Sequence, residues 1–326
     1  MIQNLKVLCT DGTNPYENLA VEEVLLDTVE AETCILYLWQ NENTVVIGQN
    51  QNAFLECRTG LMEEEGVFLA RRKSGGGAVY HDLGNLNFTF LMPSEEYDLE
   101  KQLSVLLTAC RALGLTAEQS GRNDVLIEGR KFSGNAFYRG KKNSYHHGTI
   151  LVRADMEKLS RYLSPSKAKM EAKGVKSVKS RVVNLREFLP TLTIEQMKNA
   201  MVEAFGEVYG LPVSQLSVDD LDKTAVKTLK TRNEQWDYNY GSKPLCNVTL
   251  ENRFPWGGMT FHLTVEEGRI TNAKVYSDAM EHDLPQKVEA CLISQRFSVG
   301  DLSQSLSSLP LPYGEDLAEF FRQQEL

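Results

Sequence analysis

Three basic side chains run directly into three glycines at Arg71-Arg72-Lys73-Ser74-Gly75-Gly76-Gly77, and the chain continues Ala78-Val79-Tyr80-His81-Asp82. Glycine accepts the backbone angles at which successive amides point at one oxyanion, so the stretch reads as an anion cradle. It lacks the Gly-Lys-Ser/Thr ending of a Walker loop and the spacing of a dinucleotide fingerprint. Ala78-Val79-Tyr80 also has the texture of a strand where those motifs need a helix. A flexible hairpin turn in a solvated basic patch would account for the same residues. A second constellation shifts the balance: Gly121-Arg122-Asn123-Asp124, Gly129-Arg130-Lys131-Phe132-Ser133-Gly134-Asn135-Ala136 and His146-His147-Gly148-Thr149. A strand lysine among glycine and serine is not explained by packing. Small neighbours leave room for a substrate backbone or phosphate, and a cation held there has an anion to meet.

The elements that must position these residues follow from periodicity. Asn14-Pro15-Tyr16-Glu17 opens a helix, with Asn14 as N-cap, Pro15 at the first helical position and Glu17 placed to complete a capping box. Strands are expected over 34–39 and 44–47, a helix over 52–65 ending at Gly66, and a short strand over 67–70 that delivers the chain into the cradle. Leu86, Phe88 and Phe90 alternate, which predicts a strand with one buried face. Leu99, Leu103, Leu106, Leu107, Cys110 and Leu113 recur at helical spacing up to Gly114. A hairpin turning near Glu128-Gly129, a strand over 148–152, a helix over 155–163 and a lysine-rich loop over 167–181 come next. Thr193 to Gln196 is a second capping-box candidate, heading an apolar helix that stops at Gly210. A charged helix over 219–230, an aromatic connector over 236–241 and a break at Lys243-Pro244 precede two or three strands and helices over 284–292 and 314–323.

A chain of 326 residues with ordinary apolar and charged content makes about two globular domains. A net charge of -9 argues against nucleic acid as partner, so the local basic segments serve a smaller anion or an acidic protein. The six cysteines show no Cys-x-x-Cys pair and no metal-ligand spacing, which predicts reduced thiols in a cytoplasm and no structural metal. There is no signal-like start and no apolar run near the ~18 residues that cross a bilayer, so no membrane role is expected. With no heptad pattern, a monomer is the expectation.

Taken together, the chemical stretches resemble the lipoate-protein ligase family, which is similar in fold to the biotin protein ligases. The resemblance takes in Asn18-Leu19-Ala20-Val21-Glu22-Glu23, Val45-Val46-Ile47-Gly48, Arg71 through Asn85, Asn123-Asp124, Lys131 to Ala136, His146 to Leu151, residues 172–182 and Trp256-Gly257-Gly258. It implies an α+β fold: a large catalytic domain of mixed β-sheets flanked by helices over 1–243, and a smaller α+β accessory domain over 244–326. It also implies a two-step reaction using ATP and Mg2+. Lipoate becomes lipoyl-AMP with release of pyrophosphate, and a carrier-domain lysine then takes the lipoyl group and releases AMP.

The family's essential lysine falls on Lys131, expected to touch both the α-phosphate and the lipoyl carbonyl. By the same resemblance Arg72, Gly77, Ala78, Val79 and Tyr80 join Lys131 in binding ATP, while Gly75, Gly76, His81 and His147 join it in binding lipoate. Asp124 is a candidate for magnesium or α-phosphate, or else a turn-forming residue. His81 and His147 suit a structural role equally well. The 167–181 run is implied to close on the adenylate. Expected protein substrates are the lipoyl domains of 2-oxoacid dehydrogenases and the glycine-cleavage carrier, and the sequence leaves open whether octanoate is used beside lipoate. The alternatives are an ATP-independent lipoyl or octanoyl transferase, which would need an activated cysteine, a non-catalytic lipoate-binding protein, and biotin ligation.

Overall fold

The computed structural model describes residues 1–121, 124–163, 182–240, 248–266 and 268–324. The lysine-rich run 167–181, the Arg122-Asn123 pair and the break at Lys243-Pro244 lie outside the described residues. Among the described residues fourteen strands form three sheets. The first strands are β1 (Asn4–Cys9), β2 (Thr33–Trp39), β3 (Thr44–Ile47), β4 (Phe68–Arg71), β5 (Val79–His81) and β6 (Asn85–Pro93). After them come β7 (Ala117–Ser120), β8 (Asp124–Ile127), β9 (Arg130–Arg139), β10 (Asn143–Leu151) and β11 (Val213–Gln215). The last three are β12 (Val248–Phe254), β13 (Gly257–Glu266) and β14 (Arg269–Ser277).

The large sheet has the order β11-β1-β2-β6-β10-β9-β8-β7. It is parallel where β1 meets β2 and β11 and antiparallel across the rest, hence mixed. One face packs the Leu99–Ala112 and Ile194–Tyr209 helices through Leu36, Phe88, Phe90, Leu106, Met201 and Phe205. The other face receives the Pro15–Thr28 helix through Leu19, Leu25, Tyr37, Leu91 and Tyr145. A small sheet, β4-β3-β5, carries the cradle between β4 and β5. Residues 248–324 build a separate antiparallel sheet, β12-β13-β14, and a core of their own with the Leu284–Leu292, Val299–Leu306 and Tyr313–Arg322 helices. No helix among the described residues is long and apolar enough to cross a membrane.

Local signals are realised with some departures. Asn14 accepts from the Tyr16 and Glu17 amides, but Glu17 spends its carboxylate on Lys230 at 2.8 Å and closes no capping box. Thr193 and Gln196 do close one, and Gly210 ends that helix at φ 69°. The expected helix over 52–65 is two short ones, Ala53–Glu56 and Thr59–Glu64, because Cys57 leaves the helix to bridge Leu163. The Val299–Leu306 helix has no counterpart in the sequence reading. The strand after the cradle, β6, is buried on both faces, not one.

Candidate active site

The polar face of β6 explains that second burial. Asn85, Asn87 and Thr89 alternate with Leu86, Phe88 and Phe90, and strand register sets them into rows that cross the sheet. One row is Ile35, Leu91, Tyr145 and Tyr138. The next is Tyr37, Thr89, His147 and Ala136. The third runs Trp39, Asn87 and Thr149, then Gly134, whose N–H donates to Thr149 Oγ1 at 3.2 Å, and Asp124 opposite Gly134. Successive rows lie two residues apart, so the floor passes from apolar to charged over ~14 Å. The Pro15–Thr28 helix and the small sheet stand above it.

Lys131 reaches this floor through a bulge. Val125 pairs with Ser133 and Leu126 with Lys131, which leaves Phe132 unmatched, buried in the core on the far face. Without that extra residue Lys131 would share the parity of Asn135, whose Oδ1 meets His146 Nε2 at 2.8 Å on the core face. With it, the lysine crosses Gly134 on the cleft side and its Nζ lies 2.6 Å from Asp124 Oδ1. A methyl group on Gly134 would stand 2.7 Å from Nζ and 2.8 Å from Cε. The room that small neighbours leave around this lysine is therefore filled by its own ammonium end. The carbonyl of Lys131 accepts from the Val183 N–H at 2.8 Å, which ties the chain beyond residue 181 to the same point.

The cradle's basic residues differ in use. Arg71 donates to the carbonyls of Gly48, Gln49, Gln51, Tyr238 and Asn239 and so holds framework together. Arg72 is buried beneath the glycines and donates to the carbonyls of Val46, Gly75 and Gly77 and to Ser74 Oγ. Burial lowers its guanidinium to about 10, still charged at neutral pH. Lys73 reaches Glu23, which Arg232 also holds, and the burial penalty on that carboxyl is outweighed so that it lies below its ordinary range. Gly76, at φ 88°, gives its N–H to the Ala279 carbonyl at 3.1 Å, so segment 277–282 sits on the cradle.

Ser74 joins the cradle to the floor. Its Oγ meets His147 Nε2 at 2.8 Å, and His147 Nδ1 meets buried Glu22 at 2.8 Å. Thr89 donates to the same Glu22 oxygen at 2.7 Å and lies 3.2 Å from Trp39 Nε1. His81, on β5, has Nδ1 against Asn41 Nδ2 at 3.2 Å and its ring edge to Trp39, while its buried Nε2 has no partner among the described residues. Burial, with help from Arg72 and His147, pushes this imidazole down to about 3, so it is neutral and offers Nε2–H as a donor. Asn85 bonds Asn87 at 2.8 Å, and whichever way the amides are turned one carbonyl and one NH2 stay unpaired among the described residues, in a buried setting.

Of the expected site residues, Gly75, Gly76, His81 and His147 meet around Ser74, Arg72 and Trp39, and Lys131 with Asp124 occupies the adjoining row. Tyr80 is buried, donates to Asn43 at 3.1 Å and packs on Tyr162, so its side chain serves the fold and the role expected of Gly77, Ala78, Val79 and Tyr80 falls on their backbone. Sequence reading passed over Glu22, Trp39, Asn85, Asn87 and Thr149 as site residues. Glu22, Asn85 and Thr149 do lie inside the stretches that carry the family resemblance, and for Asn87 the signal was the polar half of the β6 alternation, which resembles a solvent face.

Residues 14–206 match the lipoyl protein ligase A/B catalytic domain, and residues 243–320 match the bacterial lipoate protein ligase C-terminus. The P. falciparum LipL1 structure in complex with lipoate is 27% identical over 98% of this chain and 99% of that chain, with a TM-score of 0.86. An archaeal bipartite lipoate protein ligase from Thermoplasma acidophilum, described with its E2 lipoyl domain, is 29% identical over 76% of this chain and 100% of that chain, with a TM-score of 0.66. A lipoate-protein ligase A bound with ATP is 27% identical over 74% of this chain and 99% of that chain, with a TM-score of 0.65. The chain belongs to the lipoyl protein ligase A/B family and carries the C-terminal unit of the bacterial lipoate protein ligases.

Proposed function

We propose that the protein activates free lipoate with ATP to lipoyl-AMP and transfers the lipoyl group to a specific lysine of a carrier domain, of the 2-oxoacid dehydrogenase E2 or glycine-cleavage type. The observation that carries the reading is the gradation of this sheet face from apolar to charged residues, with the Lys131 ammonium at its polar end. A fatty tail enters along this face by opening the packing of Leu91 and Tyr145 against the Pro15–Thr28 helix, and its carboxylate then arrives where cations and N–H donors collect. Residues 1–243 act as the catalytic unit and 244–326 as the accessory one, in a cytoplasmic monomer. Similarity to ligases solved with lipoate, with ATP and with a lipoyl domain supports each partner in turn.

Bringing a carboxylate to an α-phosphate sets like charges against each other, so fixed positive charge and oriented donors must meet the charge that builds. Lys131 supplies the cation: unit charges ~4 Å apart interact by about 4 kcal/mol at an effective dielectric near 20. Arg72 supplies a buried charge from below while holding the loop carbonyls inward. The carboxylate oxygen bonds to the α-phosphorus as pyrophosphate leaves. The carrier amine then bonds to the acyl carbon, AMP departs, and the amine's proton goes to solvent. Magnesium enters as part of the nucleotide substrate. Asp124 is paired with the Lys131 ammonium at 2.6 Å in this arrangement, and this reading gives it that partner in place of the metal.

A transferase working through a thiolate finds no support among the described cysteines. Burial pushes the Cys34, Cys57 and Cys110 thiols up to about 12 and raises Cys9 as well, Cys34 and Cys110 lie in the core on the opposite face of the sheet, and Cys291 belongs to the Leu284–Leu292 helix of the C-terminal unit. Incubation with ATP, lipoate and an apo lipoyl domain tests the reading: the acceptor gains the lipoyl mass only when ATP is present. Equal lipoylation without ATP from an acyl-carrier donor would point to the transferase, and binding without mass gain to a sensor.

A further inference from the structure

We infer that Asp124 is a positioning residue for Lys131: its carboxylate, reached across the bare backbone of Gly134, fixes where the lysine ammonium stands over the polar row of the cleft. The inference deepens the ligase reading and rests on it for its consequence, though not for its geometry.

Three features on two strands build the arrangement. The bulge at Phe132 turns Lys131 to the cleft face, the absence of a side chain at Gly134 opens a track along the strand, and Asp124, cross-strand partner of Gly134, ends that track. The pair is half-buried, with Lys131 26% and Asp124 19% exposed, so solvent screens it less than a surface pair. A lysine carries four rotatable bonds, and a flexible cation over an open groove would spread across many positions. Tethered at 2.6 Å, it has one. The same tether assigns Asp124 a task other than holding metal, since a carboxylate spent on an ammonium is a poor ligand for a second cation.

The test uses the full-length protein with Asp124→Asn, Asp124→Glu and Gly134→Ala. Without substrates, brief treatment with limiting acetic anhydride and peptide mass spectrometry gives the labelling rate of Lys131 relative to Lys230, whose pairing with Glu17 is distant from the change. Labelling of Lys131 is expected to rise severalfold in Asp124→Asn and Gly134→Ala, with Lys230 unchanged, and to return toward wild type in Asp124→Glu. In lipoate-dependent pyrophosphate release, kcat is expected to fall about 10- to 100-fold in Asp124→Asn, with KM for ATP within about twofold of wild type, as for a misplaced catalytic group. Unchanged Lys131 labelling in Asp124→Asn overturns the inference, as does a loss of activity that raised Mg2+ or Mn2+ restores, which would make Asp124 a metal ligand. If wild type releases no pyrophosphate with lipoate, the ligase reading fails while the labelling still decides the pairing.

Discussion

At Lys131 the chemistry depends on shape as much as on charge. The ammonium fits in the space where Gly134 has no side chain, and a guanidinium is wider, planar and points its donors along a fork. Lys131→Ala is expected to lower lipoate-dependent pyrophosphate release by about 10²- to 10³-fold, the scale of losing one oxyanion donor, and Lys131→Arg to recover little of it. Adenylate formation near the wild-type rate in Lys131→Ala would remove this residue from the mechanism. The buried imidazoles make a separate prediction about stability. His81 and His146 are pushed down to about 3 by desolvation, whereas the unfolded chain takes up a proton near 6.5 at each. The unfolded state therefore binds more protons throughout that window, and stability falls as pH drops from about 6.5 toward 3, by up to ~1.4 kcal/mol per pH unit for each histidine. Urea denaturation between pH 7 and pH 5 should show a shallower decline in His81→Gln and in His146→Gln. A slope equal to that of wild type would mean that these rings are charged in the fold.

The elements that carry the site are held by polar groups facing inward, and that is where sequence reading loses its grip. Strand β6 advertises Leu86, Phe88 and Phe90 and hides Asn85, Asn87 and Thr89, since an alternation with a polar half looks the same whether that half meets water or a cleft. The Asn14 cap, the Thr193-Gln196 capping box, the Glu128-Gly129 turn and the Gly210 stop were legible because each depends on local residues: Glu128 and Gly129 do sit at φ 47° and 73°. The bulge at Phe132 was not, because it is a property of two strands' register and leaves no mark on either strand alone. Likewise Arg71 and Arg72 are indistinguishable neighbours on paper, yet opposite strand parity sends one to framework carbonyls and the other beneath the glycines. Thr89 shows what such an inward-facing element is worth. It serves both the Trp39 indole and the Glu22 carboxylate, so Thr89→Val keeps the shape and leaves two buried groups short of a partner. Its expected cost is ~1–3 kcal/mol in urea denaturation. A higher KM for lipoate with KM for ATP unchanged should accompany it, because Glu22 orients His147. A change confined to ATP would place the nucleotide, not the acyl chain, over this row.

On the scale of the whole molecule, the cradle has two claimants. The Gly76 N–H is given to the Ala279 carbonyl, and the segment that bears it is fastened nearby: Ser277 donates to the Asn50 carbonyl at 2.8 Å, Asn50 donates to the His282 carbonyl at 2.7 Å, and the His282 ring lies 4.6 Å from that of Tyr138. One N–H makes one short hydrogen bond, so a ligand oxyanion that takes the Gly76 amide must turn the Ala279 carbonyl away. Filling the cradle is then paid for by loosening the 277–282 contact, and the two events are linked by the same free energy in either direction. The consequence can be read by amide hydrogen exchange. A hydrolysis-resistant acyl-adenylate is expected to speed exchange at Ser277 while Gly76 stays protected, its partner exchanged for the ligand. Gly75→Ala should loosen the contact with no ligand present, since its methyl would lie 2.3 Å from the Ala279 carbonyl oxygen. If the analogue binds and Ser277 remains as protected as before, the adenylate does not use the Gly76 amide, and the anion cradle read from the three glycines serves to seat the C-terminal unit instead.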